Sequence, residues 1–143
     1  MSGALHQFTG VAVAGRCVLI TGAPGTGKSS LALALIDRGA ILVGDDGVAL
    51  RMKEGRLYAA PAPATRGLME VRGVGLIPMA VVDGTPVSLL IRLTRDVPRY
   101  VEEAPREVVM GVSLPAIALW PDSPVLALRA ELALTRHGLV FPD

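Results

Sequence analysis

The eight residues from Gly22 to Ser29 constrain this chain more than any other part of its sequence. They read Gly-Ala-Pro-Gly-Thr-Gly-Lys-Ser and fit the phosphate-binding pattern G-x-x-x-x-G-K-[ST], the P-loop. An apolar strand over Cys17–Thr21 is predicted before the loop, and a helix over Ser29–Arg38 after it. Glycines allow the loop N–H groups to point at phosphate oxygens, and the helix N-terminus adds partial positive charge. This arrangement predicts an α/β fold that binds a nucleotide through its phosphates.

Nucleotide binding is assigned to the loop and to the first residues of the helix. Lys28 is expected to contact the β- and γ-phosphates, and the Ser29 hydroxyl is expected to ligate Mg²⁺. The full predicted set is Gly22, Ala23, Pro24, Gly25, Thr26, Gly27, Lys28, Ser29 and Ser30.

Two adjacent carboxylates, Asp45 and Asp46, follow the next predicted strand, Ile41–Val43. A P-loop phosphotransferase needs an acid at the end of a neighbouring strand to hold Mg²⁺, directly or through water, and a base for the acceptor hydroxyl. The sequence does not distinguish which of the two aspartates is the base. With the P-loop and its helix, these strands form a βαβ unit.

The pattern after Asp46 changes to hairpins. Val48–Met52 and Arg56–Ala60 flank Lys53-Glu54-Gly55, which predicts one hairpin. Met79–Val82 and Val87–Leu93 flank Asp83-Gly84, which predicts a second.

A C-terminal helix is predicted with Ser123 as its cap and Pro124 at its first position, running to Arg136 and stopped by Gly138. The predicted fold is therefore an α/β P-loop nucleotide-binding domain with a βαβ unit, additional antiparallel strands and a C-terminal helix.

The size and charge of the chain limit the classes of protein to which it can belong. Its 143 residues suit a single domain, 1–143, and a net charge of +1 argues against a nucleic-acid-binding protein. One cysteine, Cys17, excludes an internal disulfide and a multi-cysteine zinc site. No apolar run approaches the 18 residues of a membrane span. We therefore expect a cytoplasmic protein with neither a membrane nor a nucleic acid as its partner.

The chain has no N/T-K-x-D motif, which a GTPase needs to read its base. A small kinase or a related phosphotransferase remains. The alternatives left open are a small-molecule kinase and a nucleotide-sensing module that binds a partner without transfer.

Several segments together resemble the catalytic domain of the bacterial HPr kinase/phosphorylase family. They are the stretch from Lys28 to Asp45-Asp46 and the segment Met69–Leu76, which is similar to the family signature L-E-I-R-G-x-G-I. His6 falls near the place of the family's catalytic histidine. The resemblance covers about residues 5–95.

This resemblance implies an ATP- and Mg²⁺-dependent protein-serine kinase. Its substrate would be HPr, the small phosphocarrier of the phosphotransferase system, or the nitrogen-system paralogue of HPr. The family roles carry over residue by residue: Lys28 and Ser29 bind nucleotide and metal, one of Asp45 and Asp46 is the base, and Glu70 is a second Mg²⁺ ligand. His6 takes the place of the catalytic histidine.

The chain departs from the family at both ends. It begins close to His6 and resembles a shortened form without the usual N-terminal domain. The P-G-R-N element, whose arginine helps catalysis in the family, is replaced by Trp120-Pro121-Asp122-Ser123-Pro124. We therefore expect the kinase reaction to be retained and the reverse phosphorolysis to be weak. Whether the protein forms a homo-oligomer is left open.

Overall fold

Eleven strands and two α-helices make up the fold of residues 3–141 in the computed structural model. Residues 1, 2, 142 and 143, the ends of the predicted domain 1–143, lie outside the described part. In chain order the elements are β1 (Ala4–His6), β2 (Thr9–Val13), β3 (Arg16–Gly22), α1 (Lys28–Asp37), β4 (Ile41–Gly44), β5 (Val48–Lys53), β6 (Arg56–Pro61), β7 (Leu68–Val71), β8 (Gly75–Pro78), β9 (Thr85–Leu93), β10 (Arg106–Val109), β11 (Val112–Leu119) and α2 (Leu126–His137).

Nine of these strands form one mixed sheet, in which β9 has three partners. One edge of β9 pairs in parallel with β3. On its other edge, the first residues pair antiparallel with β6 and the last four pair in parallel with β11. The main path runs β1-β5-β6-β9-β3-β2-β4, and β10 extends the sheet from β11. The nine residues of β9 therefore join the P-loop strand β3 both to β6, β5 and β1 and to β11 and β10.

The predicted βαβ unit is confirmed as β3, α1 and β4, with one strand inserted. Since β2 pairs antiparallel with both β3 and β4, those two strands run in the same direction on either side of it. Their carboxyl ends therefore lie at one edge of the sheet, where the residues after β3 and after β4 approach each other.

The core lies on both faces of the sheet. The two helices cover one face, where Leu31 and Leu35 of α1 and Leu134 of α2 join Ile20 and Ile91 in a buried cluster. The β5–β6 hairpin contributes Leu50 and Leu57, among others, to a second cluster on the opposite face, together with Leu19. Aliphatic side chains of this kind stabilise a fold by about 1.5–3 kcal/mol each when they are fully buried.

Cys17 belongs to the second cluster and is fully buried. Burial raises the pKa of its thiol far above the ordinary value because the thiolate would be desolvated there. The side chain therefore acts as a small apolar group of the core.

The first predicted hairpin is confirmed as β5–β6, and the second is wrong. Met79–Val82 does not pair with β9; Val81 makes an isolated parallel bridge with Leu42, and the Val82 N–H donates to the Leu42 carbonyl at 3.3 Å. The reason is that both edges of β9 are taken by β3, β6 and β11. A segment next to Asp83-Gly84 finds no free edge there.

Asp83 lies beside Arg66 instead of closing a hairpin. The Arg66 guanidinium donates two hydrogen bonds to the Asp83 carboxylate, at 2.9 and 2.8 Å. These bonds lower the pKa of that carboxyl below its ordinary value. This exposed pair links Arg66 to the segment before β9, which does not follow a hairpin path.

The C-terminal helix is confirmed, but it begins later than predicted. The Ser123 hydroxyl accepts from the Val125 N–H at 3.2 Å, two residues along, so it closes a turn and does not cap the helix, which begins at Leu126. Pro124 therefore lies in that turn. Within residues 3–141, neither helix has the length and apolar character needed to cross a membrane.

Candidate active site

The loop between β3 and α1 closes on itself through Thr26. Both the backbone N–H and the hydroxyl of Thr26 donate to the Ala23 carbonyl, at 3.2 and 2.8 Å. Gly27 precedes α1 in the left-handed region, with φ of 98°, which is a conformation that favours glycine. The loop thus turns sharply and leads directly into the N-terminus of α1.

Lys28, the first residue of α1, folds back over the loop. Its Nζ donates to the Gly22 carbonyl at 2.9 Å, and the residue is half-buried. The hydrogen bonds found within residues 3–141 do not join this ammonium group to a carboxylate. The Lys28 side chain therefore reaches across the loop and places its ammonium group beside Gly22, the first loop residue.

Asp45 connects the start of α1 with the β7–β8 hairpin. Its Oδ1 accepts from the Ser29 hydroxyl at 2.5 Å, and its Oδ2 accepts from the Glu70 N–H at 3.1 Å. Three segments that are distant in the sequence therefore meet at one carboxylate. Ser29, Asp45 and Glu70 were all predicted site residues; the structure joins the first two through their side chains and Glu70 through its backbone N–H, so the role of the Glu70 carboxylate as a metal ligand stays a prediction.

The turn that carries Asp45 depends on glycine at position 44. A Cβ atom on Gly44 would lie 2.1 Å from the Gly47 carbonyl oxygen, far inside van der Waals contact. Only a residue without a Cβ permits this tight return of the chain after β4.

Asp46 is more exposed than Asp45 and has a different environment. Its backbone is left-handed, with φ of 57°, and its N–H donates to the hydroxyl of the buried Thr9 at 3.1 Å. Within residues 3–141, no hydrogen bond to its carboxylate is found. The two adjacent aspartates are therefore not equivalent, since both oxygens of Asp45 already accept hydrogen bonds. Thr9 was not a predicted site residue, and a threonine in a strand carries no sequence signal for this role.

His6 lies at the end of β1, directly opposite Val48 in the antiparallel pair with β5. Because Val48 follows Asp46 by two residues, His6 is placed at the corner of the sheet that carries the aspartate turn. Its ring stacks on Phe8 with the centroids 6.3 Å apart. The hydrogen bonds within residues 3–141 do not join this ring to either aspartate.

The oxygen donors at this site suit Mg²⁺. The Ser29 hydroxyl and the Asp45 carboxylate are oxygen donors of the hard type that Mg²⁺ prefers, and Glu70, an exposed residue whose backbone N–H contacts Asp45, carries a further carboxylate. No group of three or more His, Cys, Asp or Glu residues able to hold a metal occurs in the part of the chain that the structure describes.

A groove of about 420 Å³ opens beside the P-loop, where β3 pairs with β9. Its lining includes Gly22, Ala23 and Thr26 of the loop and Arg92 and Arg95 at the end of β9. In the sequence, Arg92 and Arg95 belong with Arg99 to a basic stretch that could meet an acidic partner or a transition-state phosphate, although such a stretch is more often a solvated edge. Their position beside the P-loop follows from the pairing of β9 with β3, which the sequence does not reveal.

Comparison with known protein families matches most of the chain to one family. The family model described as the HPr serine kinase C-terminal domain matches residues 3–110. The HPr kinase/phosphorylase of Clostridium botulinum is 45% identical over 74 residues, which are 52% of this chain and 24% of that protein. The enzyme of the same name from Limosilactobacillus reuteri is 34% identical over 122 residues, or 76% of this chain and 38% of that protein. The chain thus spans well under half the length of these relatives.

The solved structures include a close match over nearly the whole chain. The Hpr(Ser) kinase/phosphatase from Coxiella burnetii is similar with a TM-score of 0.81 and 28% sequence identity, and the match covers 92% of this chain and 94% of that one. The predicted α/β fold class is therefore confirmed.

Proposed function

Because this chain belongs to the family of HPr serine kinase C-terminal domains, we propose that it transfers the γ-phosphoryl group of ATP to a serine of HPr or of the nitrogen-system paralogue of HPr. One observation carries the proposal beyond family membership. Ser29 of the P-loop helix, Asp45 after β4 and the backbone N–H of Glu70 in β7 meet through two hydrogen bonds, so a lysine and oxygen donors for a metal adjoin one loop.

The phosphates of ATP would lie against the loop residues from Gly22 to Ser30. Lys28 neutralises the β- and γ-phosphates, and its attachment to the Gly22 carbonyl keeps the ammonium over the loop before ATP binds. Ser29, Asp45 and Glu70 are the residues that would hold Mg²⁺. When bound, the ion offsets the charge that develops on the phosphate oxygens. Phosphoryl transfer depends mostly on positioning and charge neutralisation, and these residues supply both.

We assign the base to Asp46 and a metal-side role to Asp45. Both oxygens of Asp45 accept hydrogen bonds, whereas the Asp46 carboxylate is exposed and accepts none within residues 3–141. In the proposed step Asp46 takes the proton of the serine hydroxyl. The serine oxygen bonds to the γ-phosphorus as the bond from that phosphorus to the β–γ bridging oxygen breaks, and ADP leaves. His6, which pairs with Val48 on the neighbouring strand, is proposed to border the space for the acceptor serine.

The direct test is incubation of the protein with γ-labelled ATP, Mg²⁺ and purified HPr. We expect label on a serine of HPr, identified by mass spectrometry, and no label on HPr whose target serine is replaced by alanine. Label on a small molecule would instead establish a small-molecule kinase. Binding of ATP without any transfer would establish a nucleotide-sensing module.

The reverse reaction is expected to be weak. Phosphorolysis requires a phosphoserine and an inorganic phosphate side by side, and two unit charges 4 Å apart repel by about 4 kcal/mol at an effective dielectric constant of 20. The segment Trp120–Pro124 contains no arginine to offset that repulsion, and Arg129 is exposed on α2. Release of pyrophosphate from serine-phosphorylated HPr and phosphate should therefore be much slower than the kinase reaction. Comparable rates in the two directions would contradict this.

A further inference from the structure

The groove beside the P-loop has positive side chains that the proposed mechanism does not use. Its volume, about 420 Å³, is within the range of small-molecule sites, and it is continuous with Gly22, Ala23 and Thr26 of the loop. Arg92 and Arg95 also line it. Two guanidinium groups beside a loop that is proposed to bind phosphates give the groove the chemistry of an anion site.

Strand register explains why these arginines reach the loop. In the parallel pair of β3 and β9, Arg92 lies opposite Thr21 and Leu93 lies opposite Gly22. Side chains alternate along β9, so Ile91 and Leu93 are buried in the helix-covered core while Arg92 is exposed on the other face. Arg95 follows just beyond the strand, where the Thr94 N–H donates to the Leu119 carbonyl at 3.1 Å.

Both arginines are paired with acids that a ligand can displace. Arg92 binds Glu107 at 2.9 Å, and Arg95 binds Asp122 at 2.8 Å and lies over the Trp120 ring. The four charged side chains are 42–63% exposed. Ion pairs as exposed as these contribute little to stability, whereas a phosphate group offers an arginine two oxygens and a higher charge.

We propose that this groove is a phosphate-binding subsite that extends the P-loop, and that Arg92 and Arg95 exchange Glu107 and Asp122 for oxygens of the bound phosphate group. The inference rests on the proposed function. The groove adjoins the loop residues assigned to the nucleotide, so the phosphate group in the proposal is one of the nucleotide. Free inorganic phosphate shares the same chemistry and is separated from the nucleotide by the test.

The first measurement is the affinity for ADP, by isothermal titration calorimetry at fixed salt. Arg92→Gln and Arg95→Gln should each weaken ADP binding by roughly tenfold, the usual effect of losing one hydrogen bond to a charged group. Arg136→Gln is the matched control, because Arg136 is exposed on the last turn of α2 and is not in the ion pairs found among residues 3–141. It should bind ADP as the unsubstituted protein does.

The acids give a prediction of opposite sign. Glu107→Gln and Asp122→Asn free the arginines and should tighten ADP binding by about two- to fivefold, which corresponds to the loss of one exposed ion pair. A purely structural role for these pairs would make all four variants bind more weakly and melt earlier. Thermal unfolding of each variant is therefore measured alongside its affinity.

Titration of inorganic phosphate into the ADP-saturated protein identifies the source of the phosphate group. If Arg95→Gln weakens ADP binding, the groove holds the nucleotide; if it weakens only the binding of inorganic phosphate, the groove holds a second anion. Unchanged affinities for both probes in the folded arginine variants would overturn the inference. Failure of the unsubstituted protein to bind ADP at all would instead refute the proposed function.

Discussion

Replacement of Lys28 by alanine is expected to reduce phosphoryl transfer to HPr by about 10²–10³-fold, the scale on which removal of one transition-state charge partner acts. The Lys28 ammonium reaches across the loop to the Gly22 carbonyl, so its charge is in position before the nucleotide arrives. Its loss leaves the γ-phosphate without this cation as negative charge shifts toward ADP. The rate of HPr phosphorylation at saturating ATP and Mg²⁺ measures the effect.

Stability should change little in the same variant. The described partner of Lys28 is a single carbonyl oxygen and not a carboxylate, so the substitution leaves no buried charge unpaired. Lys53 is the other lysine of the chain and is exposed at the end of β5, so Lys53→Ala provides a matched loss of charge. A Lys28→Ala protein as active as Lys53→Ala would refute the assignment of the P-loop.

The two aspartates should respond differently to replacement by asparagine. Asp46→Asn is expected to lower the transfer rate by about 10²–10⁴-fold while ATP affinity is retained, because the amide cannot take the serine proton. Asp45→Asn should act through the metal. The amide keeps one oxygen for the Ser29 hydroxyl, but it loses the charge and an acceptor for the Glu70 N–H.

Mg²⁺ titrations distinguish these roles. Raising Mg²⁺ should partly restore the activity of Asp45→Asn and leave Asp46→Asn inactive. If the rescue occurs for Asp46→Asn instead, the roles of the two residues are exchanged. Equal, near-normal activity of both variants would exclude either as the base.

The sequence predicts the P-loop unit well because its signals are local. The apolar run before Gly22, the glycines of the loop and the helix pattern after Ser29 lie next to one another, and each favours the same structure. The Asp83-Gly84 turn shows the opposite case. Its pattern favours a hairpin, yet β9 obtains more pairing from β3, β6 and β11 than a second hairpin strand offers. Which segment pairs with a given strand edge depends on the whole sheet, and the local sequence does not indicate it.

In the candidate site too, some features can be predicted from the local sequence and others cannot. The identities of Lys28, Ser29 and the aspartate pair follow from their motif, whereas Glu70 was indicated only by the family resemblance. Its approach to Asp45, 25 residues away, depends on how the β7–β8 hairpin packs. The difference between Asp45 and Asp46 arises from the tight turn at Gly44 and from Thr9 on a neighbouring strand. The spacing of residues in the sequence does not predict such contacts.

The strand inserted in the βαβ unit acts as a spacer for the chemistry. Neighbouring strands lie about 4.8 Å apart, so β2 separates the ends of β3 and β4 by about 10 Å. The lysine loop is anchored on one side of this gap and the two acids on the other, and the first turn of α1 bridges it through Ser29. The working distance between cation and base is thus a property of the sheet. It is set by β2, which carries no residue assigned to contact the substrate.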